Sequence, residues 1–150
     1  MIISCGFLIE SSGKVLLCHA TNGKQKPSLK GNRYGIPKGK QDSGEYYIDT
    51  ALRELKEETD LDLLDTTRFK VSSNHMSVKY KKIAKTLKVF KVVDSTGELL
   101  KFPFKCNTYF EWKGLTIPEV DSYLWLDYDT AKDVCIKGQI PIFEPFDWLF

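Results

Sequence analysis

Apolar residues run with few interruptions over 2–10 and again over 14–20, rich in Ile, Leu and Val, with Ser11-Ser-Gly13 between them. The pattern predicts two strands joined by a tight turn, so a hairpin opens the chain. Over 21–44 periodicity fades and Gly23, Pro27, Gly31, Gly35, Pro37, Gly39 and Gly44 punctuate the chain. This predicts a loop, and one long enough to suggest function. From Glu45 the period changes: Ile48, Ala51, Leu52 and Leu55 fall at i, i+3, i+4 and i+7, and Asp42-x-x-Glu45 ahead of them resembles a capping box. An amphipathic helix of about four turns follows. The β-branched and aromatic stretches 83–93 and 106–112 predict strands separated by the turn residues Asp94-Ser-Thr-Gly97, and Tyr123-Leu-Trp-Leu126 predicts another. A short second helix is expected from Thr130 to about Lys137, with Asp129 or Thr130 near its N-cap and Gly138 closing it. Strands before, between and after helices make a mixed α/β sandwich. Residues 1–150 contain no internal repeat or linker, so a single domain is expected.

Composition narrows this only slightly. With 42% hydrophobic and 28% charged residues over 150 positions the chain can bury one core, which excludes a disordered or fibrous polymer. No window approaches the ~18 consecutive apolar residues of a membrane-spanning helix, and no basic segment precedes the first apolar run. A soluble, cytoplasmic protein is expected. Cys5, Cys18, Cys106 and Cys135 are widely spaced in apolar surroundings with no C-x-x-C pair, the pattern of reduced core thiols and not of a disulfide framework or zinc site.

Charge changes the picture more. The net charge is only +2, yet Lys24–Lys40 holds six basic residues and no acid, Asp42–Asp65 nine acids against Arg53 and Lys56, and Arg68–Lys91 eight basic residues and no acid. Such blocks suit a polyanionic substrate carried with a metal ion. On the predicted helix, with Ile48 set at zero, Glu57, Glu54 and Glu58 fall near ~180°, ~240° and ~280°, opposite the apolar face. Like charges at i, i+3 and i+4 repel unless a cation neutralises them. Mg²⁺ or Mn²⁺, which take oxygen ligands and bridge to phosphates, are the cations this stripe beside a Lys-rich loop suits. Arg53, near ~140°, can hold a carboxylate by a bidentate contact.

The segment Gly39-Lys-Gln-Asp-Ser-Gly-Glu45 through Arg53-Glu54-Leu55-Lys-Glu57-Glu58-Thr-Asp60-Leu61 resembles the Nudix box. It departs at one specified position, where Asp60 replaces a glycine that ends the helix in the family, and aspartate can still visit the left-handed conformation. Tyr34-Gly-Ile-Pro37-Lys38-Gly39 and Pro118-Glu119 followed by Trp125 are similar to the family's flanking segments. The resemblance implies a Nudix α/β/α sandwich with a mixed sheet, and metal-dependent hydrolysis of a pyrophosphate bond in a nucleoside diphosphate derivative. Glu54, Glu57 and Glu58, with the Gly39 carbonyl, would hold one to three Mg²⁺ or Mn²⁺ ions. Arg53 would orient a box carboxylate, and Glu45 would cap and orient. Glu119, on a loop able to close over substrate, is the candidate general base, with Asp121 the alternative and Glu54 next in line. Lys38 could contact a phosphate, and Tyr34, Tyr80 or Phe104 could stack on a base. His19 and His75 lack nucleophile partners at motif spacing and take no catalytic role.

The substrate expected from the resemblance is a dinucleoside polyphosphate or similar nucleotide, since Pro37-Lys-Gly-Lys40 with Thr50-Ala-Leu-Arg-Glu54 looks most like the dinucleoside tetraphosphate hydrolases. RNA 5′-end or cap hydrolysis is the alternative, with the basic block 68–91 tracking RNA. A catalytically inactive binding module is disfavoured because every box carboxylate is present. Neither a membrane nor an obligate protein partner is expected.

Overall fold

A computed structural model describes residues 1–21, 31–64 and 68–150. Residues 22–30 of the expected loop, with the start of its basic block, and Asp65 at the end of the acidic block lie outside the described residues. The opening hairpin is β1 (Ile2–Ser11) and β2 (Lys14–Ala20), paired at Glu10↔Val15 and Ser11↔Lys14. Ser12 (φ 49°) and Gly13 (φ 76°) supply the left-handed turn that matches strand twist. Away from the turn the two strands part, and short strands fill the wedge: β3 (Tyr34–Gly35) pairs with β2, and β4 (Lys38–Lys40) pairs antiparallel with β1 at Ser4↔Lys40, Cys5↔Gly39 and Gly6↔Lys38. This corrects the reading of 21–44 as loop throughout. Two- and three-residue strands between glycines and prolines carry no legible period.

Helix α1 (Tyr47–Thr59) starts two residues after the expected Glu45. The capping box closes ahead of it as a turn: the Glu45 N–H donates to the Asp42 carbonyl at 3.2 Å, and the Asp42 N–H to Glu45 Oε1 at 2.9 Å. At the other end Asp60 takes the left-handed conformation (φ 65°) and its N–H donates to the Lys56 carbonyl.

Then come β5 (Lys70–Val71), β6 (Met76–Lys79) and β7 (Lys85–Asp94); β5 and β6 pair antiparallel with β7, which runs parallel to β1 from Ile2↔Lys85 to Ser11↔Asp94. The strand expected over 106–112 begins only at Tyr109, because the Lys105 and Asn107 N–H groups donate to the end of α1 instead of a neighbouring strand. Strands β8 (Tyr109–Trp112) and β9 (Leu115–Pro118) form a separate hairpin. After the single residue Glu119, β10 (Val120–Leu126) pairs antiparallel with β2, with a bulge between Val120 and Ser122. Among the described residues eight strands make one mixed sheet, with path β10-β2-β1-β7-β5.

Helix α2 (Tyr128–Val134) is capped by Asp127, whose side chain accepts the Thr130 N–H, two to three residues before the expected cap; a 3₁₀ segment follows over Lys137–Phe143. Alternate residues of β1 explain the sandwich. Cys5, Phe7 and Ile9 pack with Ala51 and Leu55 of α1, and Leu8 packs with Ala131, Val134 and Ile142 on the opposite face. Burial on both faces makes the β1 sequence a nearly unbroken apolar run. The four cysteines are buried and divided between the two clusters. No helix among the described residues is long and apolar enough to cross a membrane.

Candidate active site

Strand β4 and the polar face of α1 meet closely because Gly39 lacks a side chain: a Cβ there would overlap the Glu54 carboxylate. From this contact an open cleft of ≈ 380 Å³ extends between β4, α1 and the β9–β10 junction, lined by Lys38, Gly39, Lys40, Glu54, Glu58, Phe110 and Glu119 among others. The box helix, its lead-in and the downstream acid therefore share one cavity.

Arg53 organises the acidic side. Its Nε and Nη2 donate to the two carboxylate oxygens of Glu45 at 2.9 Å each, Nη1 donates to Glu54 Oε1 at 2.9 Å and to both Glu57 oxygens at 3.4 Å, and Nη2 also donates to the Lys40 carbonyl at 3.1 Å. Hydrogen bonds from Arg53, first among several causes, hold the Glu45 carboxyl down at about 2. Glu45 thus fixes Arg53. Arg53 in turn fixes Glu54 and Glu57, and Glu57 leans on it outside the cleft lining.

Glu54 and Glu58 both shift upward, the opposite of Glu45. Burial, more than any neighbour, pushes the Glu58 carboxyl up to about 8; Lys38 partly opposes this, while Glu54 and Glu119 reinforce it. The Lys38 backbone N–H donates to Glu58 Oε1 at 3.2 Å. Glu54 is raised as well, first by burial and then by Glu57, with Arg53 opposing. Glu54 and Glu58, close together in one partly dehydrated cleft, resist ionising together. As the side chains stand, no three His, Cys, Asp or Glu among the described residues converge at metal-holding range. The donor chemistry nevertheless fits a hard divalent cation, which would relieve the carboxylate repulsion, and the two cleft lysines suit phosphate oxygens.

Glu119 and Asp121 part ways. Glu119 lines the cleft; Asp121 Oδ1 lies 2.7 Å from His19 Nδ1, and that imidazole is buried against Tyr34. The expected lid loop over 116–121 is instead strand, one residue and strand again, so Glu119 sits at a pinned junction. Its N–H donates to the Thr108 carbonyl and its carbonyl accepts from the Thr21 N–H, both at 3.0 Å.

The expectation that Tyr34 stacks on a base is corrected: the residue is only 3% exposed, and its hydroxyl is 2.8 Å from Ser122 Oγ. No ring face is left for a ligand. Phe104 packs between Phe102, Tyr123 and Trp125, and Tyr80 lies under Lys85 Nζ and against Gly138. The aromatic in the cleft is Phe110, which sequence reasoning passed over. Alternation along β8 puts Phe110 and Trp112 on one face, but nothing local says that this face meets the carboxylates.

The family model described as NUDIX domain matches residues 3–134. An uncharacterized 17.7 kDa protein of Enterobacteria phage T4, from the e-segB intergenic region, is 31% identical over 129 residues, covering 81% of this chain and 79% of its own. Among solved structures, a binary complex of a C. elegans Ap4A hydrolase aligns with TM-score 0.64 at 17% identity, covering 93% of this chain and 92% of the other. The E. coli dihydroneopterin triphosphate pyrophosphohydrolase aligns with TM-score 0.63 at 16% identity, covering 96% and 93%. At these identities the structural likeness speaks for the fold alone.

Proposed function

The chain belongs to the NUDIX domain family and is a Nudix pyrophosphohydrolase, and from that premise we propose that it cleaves a pyrophosphate bond in a dinucleoside polyphosphate or related nucleotide, with Mg²⁺ or Mn²⁺ as cofactor. The observation that carries this reading is the convergence of Glu54, Glu58 and Glu119 with Lys38 and Lys40 on one cleft. Glu54, Glu58 and the Gly39 carbonyl are the proposed ligands, with Glu57 joining from its Arg53 contact. Bound there, a divalent cation supplies charge neutralisation at the pyrophosphate and a lowered pKa for the attacking water.

The protein's own part is positioning and proton transfer. Lys38 and Lys40 hold phosphate oxygens, and Arg53 keeps Glu54 turned toward β4. Glu119 takes the proton of a water as its oxygen bonds to phosphorus, and the bridging P–O bond breaks, leaving the displaced phosphate with its electron pair. No covalent enzyme intermediate is needed. Phe110 is the proposed stacking surface for a base, in place of Tyr34. Phe110→Ala is therefore expected to raise KM about tenfold with kcat nearly unchanged, since stacking on a base contributes ~1–3 kcal/mol. Steady-state kinetics on the preferred substrate check this; an unchanged KM removes Phe110 from the substrate site.

The substrate class is tested by product identification from a panel with Mg²⁺ or Mn²⁺: dinucleoside polyphosphates, nucleoside triphosphates, ADP-sugars, and triphosphorylated or capped RNA. Preferred, metal-dependent cleavage of a dinucleoside polyphosphate is expected, and no turnover of any member would refute the reading. In the basic block, Arg68 pairs with Glu98 at 3.1 Å and Lys91 with Glu10 at 3.4 Å, and the lysines lining the cleft are Lys38 and Lys40.

A further inference from the structure

The two halves of the candidate site come from distant segments: Glu54, Glu57 and Glu58 from α1, and Glu119 from the β9–β10 junction. Four consecutive residues, 105–108, touch both. The last four carbonyls of a helix have no partner within it, and here each is taken. Lys56 O accepts from the Asp60 N–H at 3.0 Å and from Asn107 Nδ2 at 3.0 Å. Glu57 O accepts from the Asn107 N–H at 2.7 Å, Glu58 O from the Tyr123 hydroxyl, and Thr59 O from the Lys105 N–H at 3.3 Å. Thr108, the next residue, turns to the other side: its carbonyl accepts the Glu119 N–H at 3.0 Å, and its hydroxyl donates to Glu119 Oε2 at 3.0 Å.

Asp60 anchors this connection. It stands where the family motif has glycine, and its Oδ1 accepts from Asn107 Nδ2 at 2.7 Å. Glycine would adopt the same φ of 65° with less strain but could offer no acceptor. The departure from the motif therefore adds a hydrogen bond at the point where the helix end meets the strap.

We propose that Asn107 and Thr108 are positioning residues, a strap anchored by Asp60 that sets the Glu119 carboxylate in register with the carboxylates of α1. The proposal rests on the reading of Glu119 as the general base. It accounts for the irregular backbone of 105–108 amid strand-forming residues: the groups that would build a sheet ladder are spent joining the helix end to Glu119. An exposed hydrogen bond adds little stability by itself. Fixing a reacting group is a different matter, because a displacement of about 1 Å can cost up to ~100-fold in rate.

The test combines kinetics with amide hydrogen exchange on the metal-free protein. Thr108→Val, which keeps shape and removes the hydroxyl, is expected to lower kcat about tenfold with KM within about twofold. In a Glu119→Gln background the same substitution is expected to change kcat less than about twofold, since the strap acts through that carboxylate. Asp60→Gly is expected to lower kcat in the same sense and to speed exchange of the Asn107 and Glu119 amides, while Asp60→Asn, which keeps an acceptor oxygen, restores both. Equal losses from Thr108→Val in the two backgrounds would overturn the strap, as would unchanged exchange in Asp60→Gly. Wild-type turnover in Glu119→Gln would instead overturn the assignment of the base, and the exchange result would still read the strap on its own.

Discussion

Glu58→Gln is expected to lower turnover by about two orders of magnitude or more and, in chelator at pH 8, to raise the melting temperature. Both effects follow from one carboxyl. Burial above all, with Glu54 and Glu119 adding to it against Lys38, holds the folded pKa at about 8, whereas in the unfolded chain it is ~4.3. Below the lower value both states are protonated and Glu58 has no effect on stability. Between the two the unfolded chain releases a proton that the folded chain keeps, so metal-free stability falls as pH rises from about 4.5 to about 8 and then levels off. Glutamine has no proton to release, so the difference in Tm between variant and wild type should open across that window, at ~2–4 °C per kcal/mol for a chain of this size. Turnover moves the other way, because the glutamine cannot neutralise a cation. Melts in chelator from pH 5 to 8 and kcat with Mg²⁺ or Mn²⁺ check the two halves. Wild-type turnover, or a Tm difference that does not vary with pH, would contradict them.

That opposition explains what could be read from the sequence. Ile48, Ala51, Leu52 and Leu55 announce α1 because a helix must bury one stripe, and the same periodicity places Glu54 and Glu58 away from it. β1 and β2 are equally plain, since strands buried on both faces become apolar runs. The fit of Glu54 against Gly39 is not periodic but steric, and the motif resemblance named both as metal holders without placing them in contact. Tyr34 misled because an aromatic in a Gly/Pro-rich segment looks solvent-facing; its burial depends on β3 pairing with β2 and on a hydroxyl partner, Ser122, far along the chain. Asn107, Thr108 and Phe110 left no local signal, since each acts through tertiary contacts with α1 or Glu119. Asp60 is intermediate: its left-handed cap was legible, its bond to Asn107 was not.

Glu119→Gln should lower kcat and kcat/KM together, by ~10²–10⁴-fold, with little change in KM. Glutamine keeps the size of the side chain and an oxygen able to accept the Thr108 hydroxyl, so the β9–β10 junction and its backbone bonds to Thr21 and Thr108 should persist. What is lost is a carboxylate that takes a proton only as water attacks phosphorus, an interaction absent from the ground state. Asp121→Asn gives the contrast. Asp121 lies outside the cleft lining, against His19, and its replacement is expected to leave kcat within about threefold, as for sites remote from the chemistry. Steady-state kinetics of the two variants decide between them. Greater loss in Asp121→Asn would move the base to Asp121, and an effect of Glu119→Gln confined to KM, with Asp121→Asn also harmless, would move it onto α1. There Glu54, raised by burial yet held against β4 by Arg53, is the group with both proton affinity and fixed position.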